Sequence, residues 1–198
     1  LFRSSIENEP VVELVNNRER EYIFADLPDI GYSTDIDTVM ASSYQVKKQL
    51  QQIVKIEQPI TNTLLYKRIL RIWNLTRVTT RLQVFIDNLL EDAYKDPLSG
   101  DTIIYWEDEE KAKDCDFYRI NSKRDILDIP ILEVMSAARY AIEQQISMPT
   151  EDLKRLTSQL LGFSRKGNNL DMVTEQTIQL LIDQGIFSHA NGMVSMNN

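Results

Sequence analysis

Five cations, Lys67, Arg68, Arg71, Arg77 and Arg81, fall within residues 57–82, where the only acid is Glu57. The chain as a whole carries a formal net charge of −8. Clustered lysine and arginine side chains offer one plain chemistry, the neutralisation of phosphates with release of condensed counterions. Screening confines such a field to roughly 8–10 Å, so a local patch decides contact with a polyanion and the total charge does not. The charge is unevenly spread: residues 1–45 carry net −6, residues 46–95 net +5, residues 96–130 net −5 and residues 131–198 net −2.

Other chemistries find less support. One cysteine, Cys115, and one histidine, His189, cannot assemble a Cys/His zinc site or an internal disulfide. Cys115 lies in "EDEEKAKDCDF", where neighbouring carboxylates disfavour the thiolate that nucleophilic catalysis needs. Glu107, Asp108, Glu109 and Glu110 are consecutive and point in different directions in any regular structure, so they read as a solvated loop. No glycine-rich phosphate loop or GK[ST] sequence occurs. Trp73 and Trp106 lie on apolar stretches and read as core. The expectation is a chain that is not an enzyme and has no cofactor, metal or small-molecule substrate. No apolar run reaches the length of a membrane span, and the cysteine usage fits the cytoplasm. The chain opens at Leu1 rather than Met, as a piece of something longer would.

The elements that must position the cations are helices. Val46, Leu50, Ile53 and Val54 form one amphipathic stripe, which Pro59 stops. Thr61 is placed to cap a second helix with Leu65, Ile69, Ile72 and Trp73 inward. After "NLTR" a third helix begins near Val78, with Leu82, Phe85, Ile86, Leu89 and Leu90 on one side. Two β-like runs, 102–106 and 116–120, are expected to form a hairpin across the acidic loop. Three helices followed by a hairpin is the order of a winged helix, a helix-turn-helix with a β wing.

The order then repeats. Leu132, Met135, Ala138, Ile142 and Ile146 mark a helix, and Thr150 is the expected cap of the next. Ile178, Leu181 and Ile182 line a third, and Asn191-Gly192 is a two-residue hairpin turn. Thr61 is laid over Thr150, Arg77 over Arg165 and Ile86 over Ile178, the second copy having the longer turn. The expected fold is mainly α with small β-hairpins (α+β). It divides into an irregular N-terminal linker or wrapping segment (1–43) and two tandem winged-helix-like units (44–125 and 126–198). The first forty residues offer only "VVELV" and "EYIFADL" as short strands and a turn-dense connector.

In a helix-turn-helix the second helix meets the major groove with its N-terminal residues. Thr79, Thr80, Gln83 and Asp87 would then face outward, with Arg77 and Arg81 at its start and Lys67, Arg68 and Arg71 on the preceding helix. The expected nucleic-acid contacts are Lys67, Arg68, Arg71, Arg77, Thr79, Thr80, Arg81 and Gln83. The competing expectation is a solvated face whose cations pair with the acidic loop 107–116, since surface ion pairs are common and weak. The second unit offers Arg165 and Lys166 but no basic stripe.

The stretch "IVKIEQPITNTLLYKRILRIWNLTRVTTRL" resembles a small C-terminal domain of unknown function found in very large bacterial and archaeal superfamily-one helicase-like proteins. The matching pieces are Ile/Val-x-x-Glu-x-Pro-Ile within Ile53–Ile60, Leu-x-x-Arg at Leu65–Arg68, and Arg77 after the turn. Ile-Pro-x-x-Glu within 128–142 and Gly-Phe-x-Arg within 160–167 also resemble that family. Family members often carry Gly where this chain has Trp73-Asn74. The resemblance implies the C-terminal region of a multidomain helicase, often with a very-short-patch-repair-like endonuclease domain. Its partners would be DNA or other domains of the same large chain, and a domain-docking module without nucleic-acid contact is the alternative.

Overall fold

The computed structural model describes residues 16–98 and 100–197; the run "VVELV" lies outside them. The elements run β1 (Glu19–Glu21), α1 (Ile36–Ala41), α2 (Ser43–Glu57), β2 (Ile60–Thr61), α3 (Asn62–Ile72), α4 (Thr80–Leu89), β3 (Tyr94–Lys95) and β4 (Ile104–Trp106). They continue through α5 (Glu109–Lys113), β5 (Tyr118–Ile120), a 3-10 turn (Ile126–Asp128), α6 (Ile131–Glu143), β6 (Met148–Pro149), α7 (Thr150–Leu160), α8 (Asn168–Asp183), β7 (Phe187–Ala190) and β8 (Met193–Met196). The fold is mainly α, with small two- and three-stranded sheets.

One succession occurs twice: helix, short strand, two helices, two strands. In each copy the last strand lies in the middle of a three-stranded antiparallel sheet, β2-β4-β3 in the first and β6-β8-β7 in the second. Helices α3 and α7 are both eleven residues long, and Asn62 opens one as Thr150 opens the other, an offset of 88. The same offset relates Asn74 to Gly162, both at positive φ just past their helices, and Arg77 to Arg165.

The expected overlay of Thr61 on Thr150 is therefore corrected by one residue. Thr61 caps α3 and accepts from the Leu64 amide at 3.3 Å, but the residue at its place in the second copy is Pro149. Thr150 is the first residue inside α7 and makes no cap. Proline suits this place because its fixed φ leads into a helix and it has no amide to satisfy.

The expected hairpin of 102–106 with 116–120 does not form. Strand β4 pairs with β2 and β3, while β5 runs parallel to β1. Ile104, Tyr105 and Trp106 are all buried, as befits a central strand. Both of their partners, Ile60–Thr61 and Tyr94–Lys95, are too short to show an alternating pattern.

Three apolar clusters hold the chain. The first joins α2, α3 and α4 and takes in Tyr22, Ala25 and Val39 from the N-terminal segment. The second lies among α6, α7, α8 and their sheet, with Leu98 of the β3–β4 loop packed on it. The third, with Tyr118, Ile126, Val134 and Leu170, packs the segment that links the two repeats onto the second of them. Among the described residues no helix is long and apolar enough to cross a membrane.

Candidate nucleic-acid interface

The α3–turn–α4 segment is built by local rules. Leu65, Ile69 and Ile72 bury one face of α3, and Trp73 ends it with its indole nitrogen donating to Gln49 at 2.8 Å. Asn74 follows at φ 49°, a left-handed residue where glycine is common and asparagine is tolerated. The missing glycine of the resembling family thus leaves the turn with its left-handed residue. Thr79 caps α4 and accepts from the Leu82 amide at 3.2 Å.

This frame sorts the candidate residues. Arg77 and Thr80 are exposed, and neither makes an ion pair or side-chain hydrogen bond to the described residues. Arg71 is likewise exposed and unpaired, and lines a cleft of about 400 Å³ with Phe24, Leu27 and Pro28. Arg81 is exposed and meets Asp37 at 2.7 Å. Lys67 is half exposed and contacts Asp128 at 2.6 Å. Gln83 is half-buried on α4. Thr79 spends its hydroxyl on the cap.

Arg68 departs from its expected role. Its side chain is 12 % exposed and its guanidinium lies 2.9 Å from the fully buried Glu57. It also donates to the Ala25 carbonyl. Position i+3 from Leu65 placed it on the flank of the inward face, and Glu57 at the end of α2 supplied the charge that draws it in. Asp87 also differs: it accepts from the hydroxyls of Tyr66 at 2.8 Å and Tyr105 at 3.3 Å, beneath α4. The acidic loop is not the partner of these cations. That stretch is not wholly a loop, since Asp108 caps the short helix α5. Lys111 and Lys113 pair with Glu107 and Glu109 four residues back, while the basic helices find Glu57, Asp128 and Asp37.

A buried ionic network went unseen in the sequence. Glu133 of α6 has no exposed surface and receives Arg124 at 2.8 Å through both oxygens, and Arg119 through its side chain and its backbone amide. Burial alone would raise the Glu133 carboxyl, but the two guanidiniums outweigh it and hold it below the usual carboxylate range. Arg119 also donates to the carbonyls of Glu57, Gln58 and Pro59, and both arginines lie over the Tyr22 ring. Tyr22 donates to Glu57 at 2.6 Å, and burial followed by that carboxylate pushes its hydroxyl upward. The one available signal was the pair of acids in the Glu-x-Pro and Ile-Pro-x-x-Glu pieces, each in an apolar setting.

The second repeat presents a different face. Lys154 of α7 is 9 % exposed and meets Asp171 at 2.7 Å, Glu175 at 2.9 Å and Glu151 at 3.3 Å. Burial would lower the ammonium, but the three carboxylates prevail and raise it. Helix α8 turns Met172, Val173 and Gln176 toward the β3–β4 loop across a cavity of about 360 Å³. Arg165 and Lys166 remain exposed at its turn. Among the described residues, no group of three or more His, Cys, Asp or Glu side chains is placed to hold a metal.

A family model described as a protein of unknown function, DUF3320, matches residues 41–84. The match spans α2, β2, α3, the turn and the first half of α4. No curated protein and no solved structure gives a significant match.

Proposed function

We propose that the chain is a non-catalytic DNA-binding accessory module built from two winged-helix-like units, and that it belongs to a larger helicase- or nuclease-type protein. The observation that carries the reading is the exposed group at the start of α4: Arg77, Thr80 and Arg81, of which, among the described residues, Arg77 has no partner and Arg81 is held only by a surface ion pair. A helix-turn-helix meets phosphates and base edges at this place. Arg71 extends the group along α3, Lys67 stands at its edge and Gln83 one turn into α4. Arg68 and Thr79 act through the frame. The repeated element order and sheet order support the winged-helix reading, and the resemblance at residues 53–77 and 128–167 supports the link to helicase-like chains.

The test is binding of duplex and forked DNA across a salt series by fluorescence anisotropy, with the Arg77→Ala/Arg81→Ala variant alongside. Wild-type binding should weaken with salt on a negative log–log slope, shallower by about 0.9 in the variant, since Arg77 is free to meet a phosphate while Asp37 holds Arg81. No binding at low salt would overturn the reading. A protein- or domain-docking module is the second reading, favoured by the carboxylate partners that Lys67, Arg68 and Arg81 already have within the chain.

A further inference from the structure

The strongly acidic N-terminal part of the chain and its basic centre are neighbours in space. Residues 24–38 contain Asp26, Asp29, Asp35 and Asp37 and no lysine or arginine. This segment lies along the end of α3: the Ile30 amide donates to the Ile72 carbonyl at 2.9 Å, and the Thr34 hydroxyl donates to the Trp73 carbonyl. Asp26 and Asp29 share the cleft of Arg71. At the far end Asp37, 74 % exposed, reaches Arg81 at 2.7 Å.

We infer that residues 24–38 form an acidic strap that competes with polyanion phosphates for the basic turn between α3 and α4. The inference rests on the nucleic-acid reading above and names a restraint on that same surface. The strap is anchored at both ends. Ala25 and Val39 are buried, Ile30 and Ile36 pack on the same core, and Asp35 caps α1 by accepting from the Thr38 amide at 2.8 Å. It therefore does not peel away, and competition acts through its side chains. A phosphate approaching Arg81 must displace the Asp37 carboxylate, and one approaching Arg71 meets Asp26 and Asp29. An exposed pair such as Asp37–Arg81 is weak enough to yield. The surface is thus set to bind polyanions below the affinity that its cations alone would give.

The experiment compares wild type, Asp37→Asn and Glu110→Gln on a short duplex across a salt series. Glu110 is exposed on α5, away from the strap in sequence, and its change alters net charge by the same amount. Thermal unfolding of each variant confirms the fold, and Asp26→Asn serves as a second strap variant. Freeing Arg81 for one phosphate should steepen the log–log slope by about 0.9, which tightens binding about eightfold at about 0.1 M salt. Glu110→Gln should leave the slope where it was. If wild type binds but the Asp37→Asn slope matches that of Glu110→Gln, the strap does not compete while the DNA interface stands. If neither wild type nor Asp37→Asn binds at low salt, the interface itself falls and the strap with it.

Discussion

The guanidinium of Arg68 lies 2.9 Å from the carboxylate of Glu57, which has no exposed surface and also receives the Tyr22 hydroxyl and the Ala25 amide. An arginine from the most basic stretch of the chain is thus an internal tie between α2, α3 and the N-terminal segment. Removing one partner of a buried pair strands the other charge, at a typical cost of about 3–5 kcal/mol. Arg68→Ala should lose about that much stability in urea unfolding, whereas Arg77→Ala, at an exposed site unpaired among the described residues, should stay within about 0.5 kcal/mol of wild type. Equal losses would refute this division of the two arginines.

Glu133 gives the fold an acid sensitivity of known sign. Its carboxyl is held below its ordinary value of 4.5 in the folded chain, chiefly by the guanidiniums of Arg119 and Arg124 acting against burial. The stabilisation is fully present above that ordinary value and is lost as pH falls through the lower folded value. Unfolding free energy measured between neutral pH and pH 3 should therefore fall on the acid side. In Glu133→Gln the acid-side loss should be smaller, from a lower starting stability. Parallel pH profiles in the two proteins would show that Glu133 does not supply the linkage.

Two threonines at helix starts, one in each repeat, should behave differently. Thr79→Ala removes a cap that accepts from the Leu82 amide and should cost about 1 kcal/mol. Thr150→Ala removes only a 3.4 Å hydrogen bond to the Gly192 carbonyl from a residue already inside its helix, and should cost a few tenths of a kcal/mol, about the scale of helix propensity. Denaturation midpoints of the two variants decide the matter, and a larger loss for Thr150→Ala would contradict the one-residue correction.

Asn74, at φ 49°, stands where Gly162 stands in the second repeat. Asn74→Gly should be neutral or slightly stabilising, and Asn74→Ala should destabilise by about 1 kcal/mol, because alanine gains no local hydrogen bond to offset the left-handed conformation. Thermal unfolding of the pair reads this directly, and alanine equal to glycine would refute it.

Burial, with the nearby Glu133 carboxylate second, pushes the Cys115 thiol up to about 12. Thiolate is the reactive form, so alkylation at neutral pH should be far slower in the folded chain than in urea. Comparable rates in the two states would show that the thiol is neither shielded nor shifted.

Most helices could be read from the sequence because each buries a stripe whose spacing is local: Val46, Leu50, Ile53 and Val54 are buried as their period requires. The cap at Thr61 and the turn at Asn191-Gly192, both of whose residues are at positive φ, follow from neighbouring atoms in the same way. Thr79, expected as an outward contact inside a helix starting near Val78, is instead the cap of α4. Strand pairing could not be read so. Whether β4 takes Tyr94–Lys95 or 116–120 as its partner depends on which side of the sheet α4 delivers the chain, and two-residue strands leave no pattern. The candidate site shows the same split. Its segment and its exposed members Arg71, Arg77, Thr80 and Arg81 were legible, but the partners of Lys67 and Arg68 lie 61 and 11 residues away along the chain.

By itself, then, the sequence determined the order of helices, the repetition of the unit and the concentration of cations around one turn, since period, capping and composition act over a few residues. Only the tertiary structure decided which of those cations face water. Burial of Glu57 claims Arg68 and takes it out of water, the buried Asp128 pairs with a Lys67 that stays half exposed, and the acidic segment laid over α3 brings Asp37 to Arg81. Charges far apart along the chain choose partners by distance in space, and a carboxylate removed from water must find a cation wherever the fold brings one.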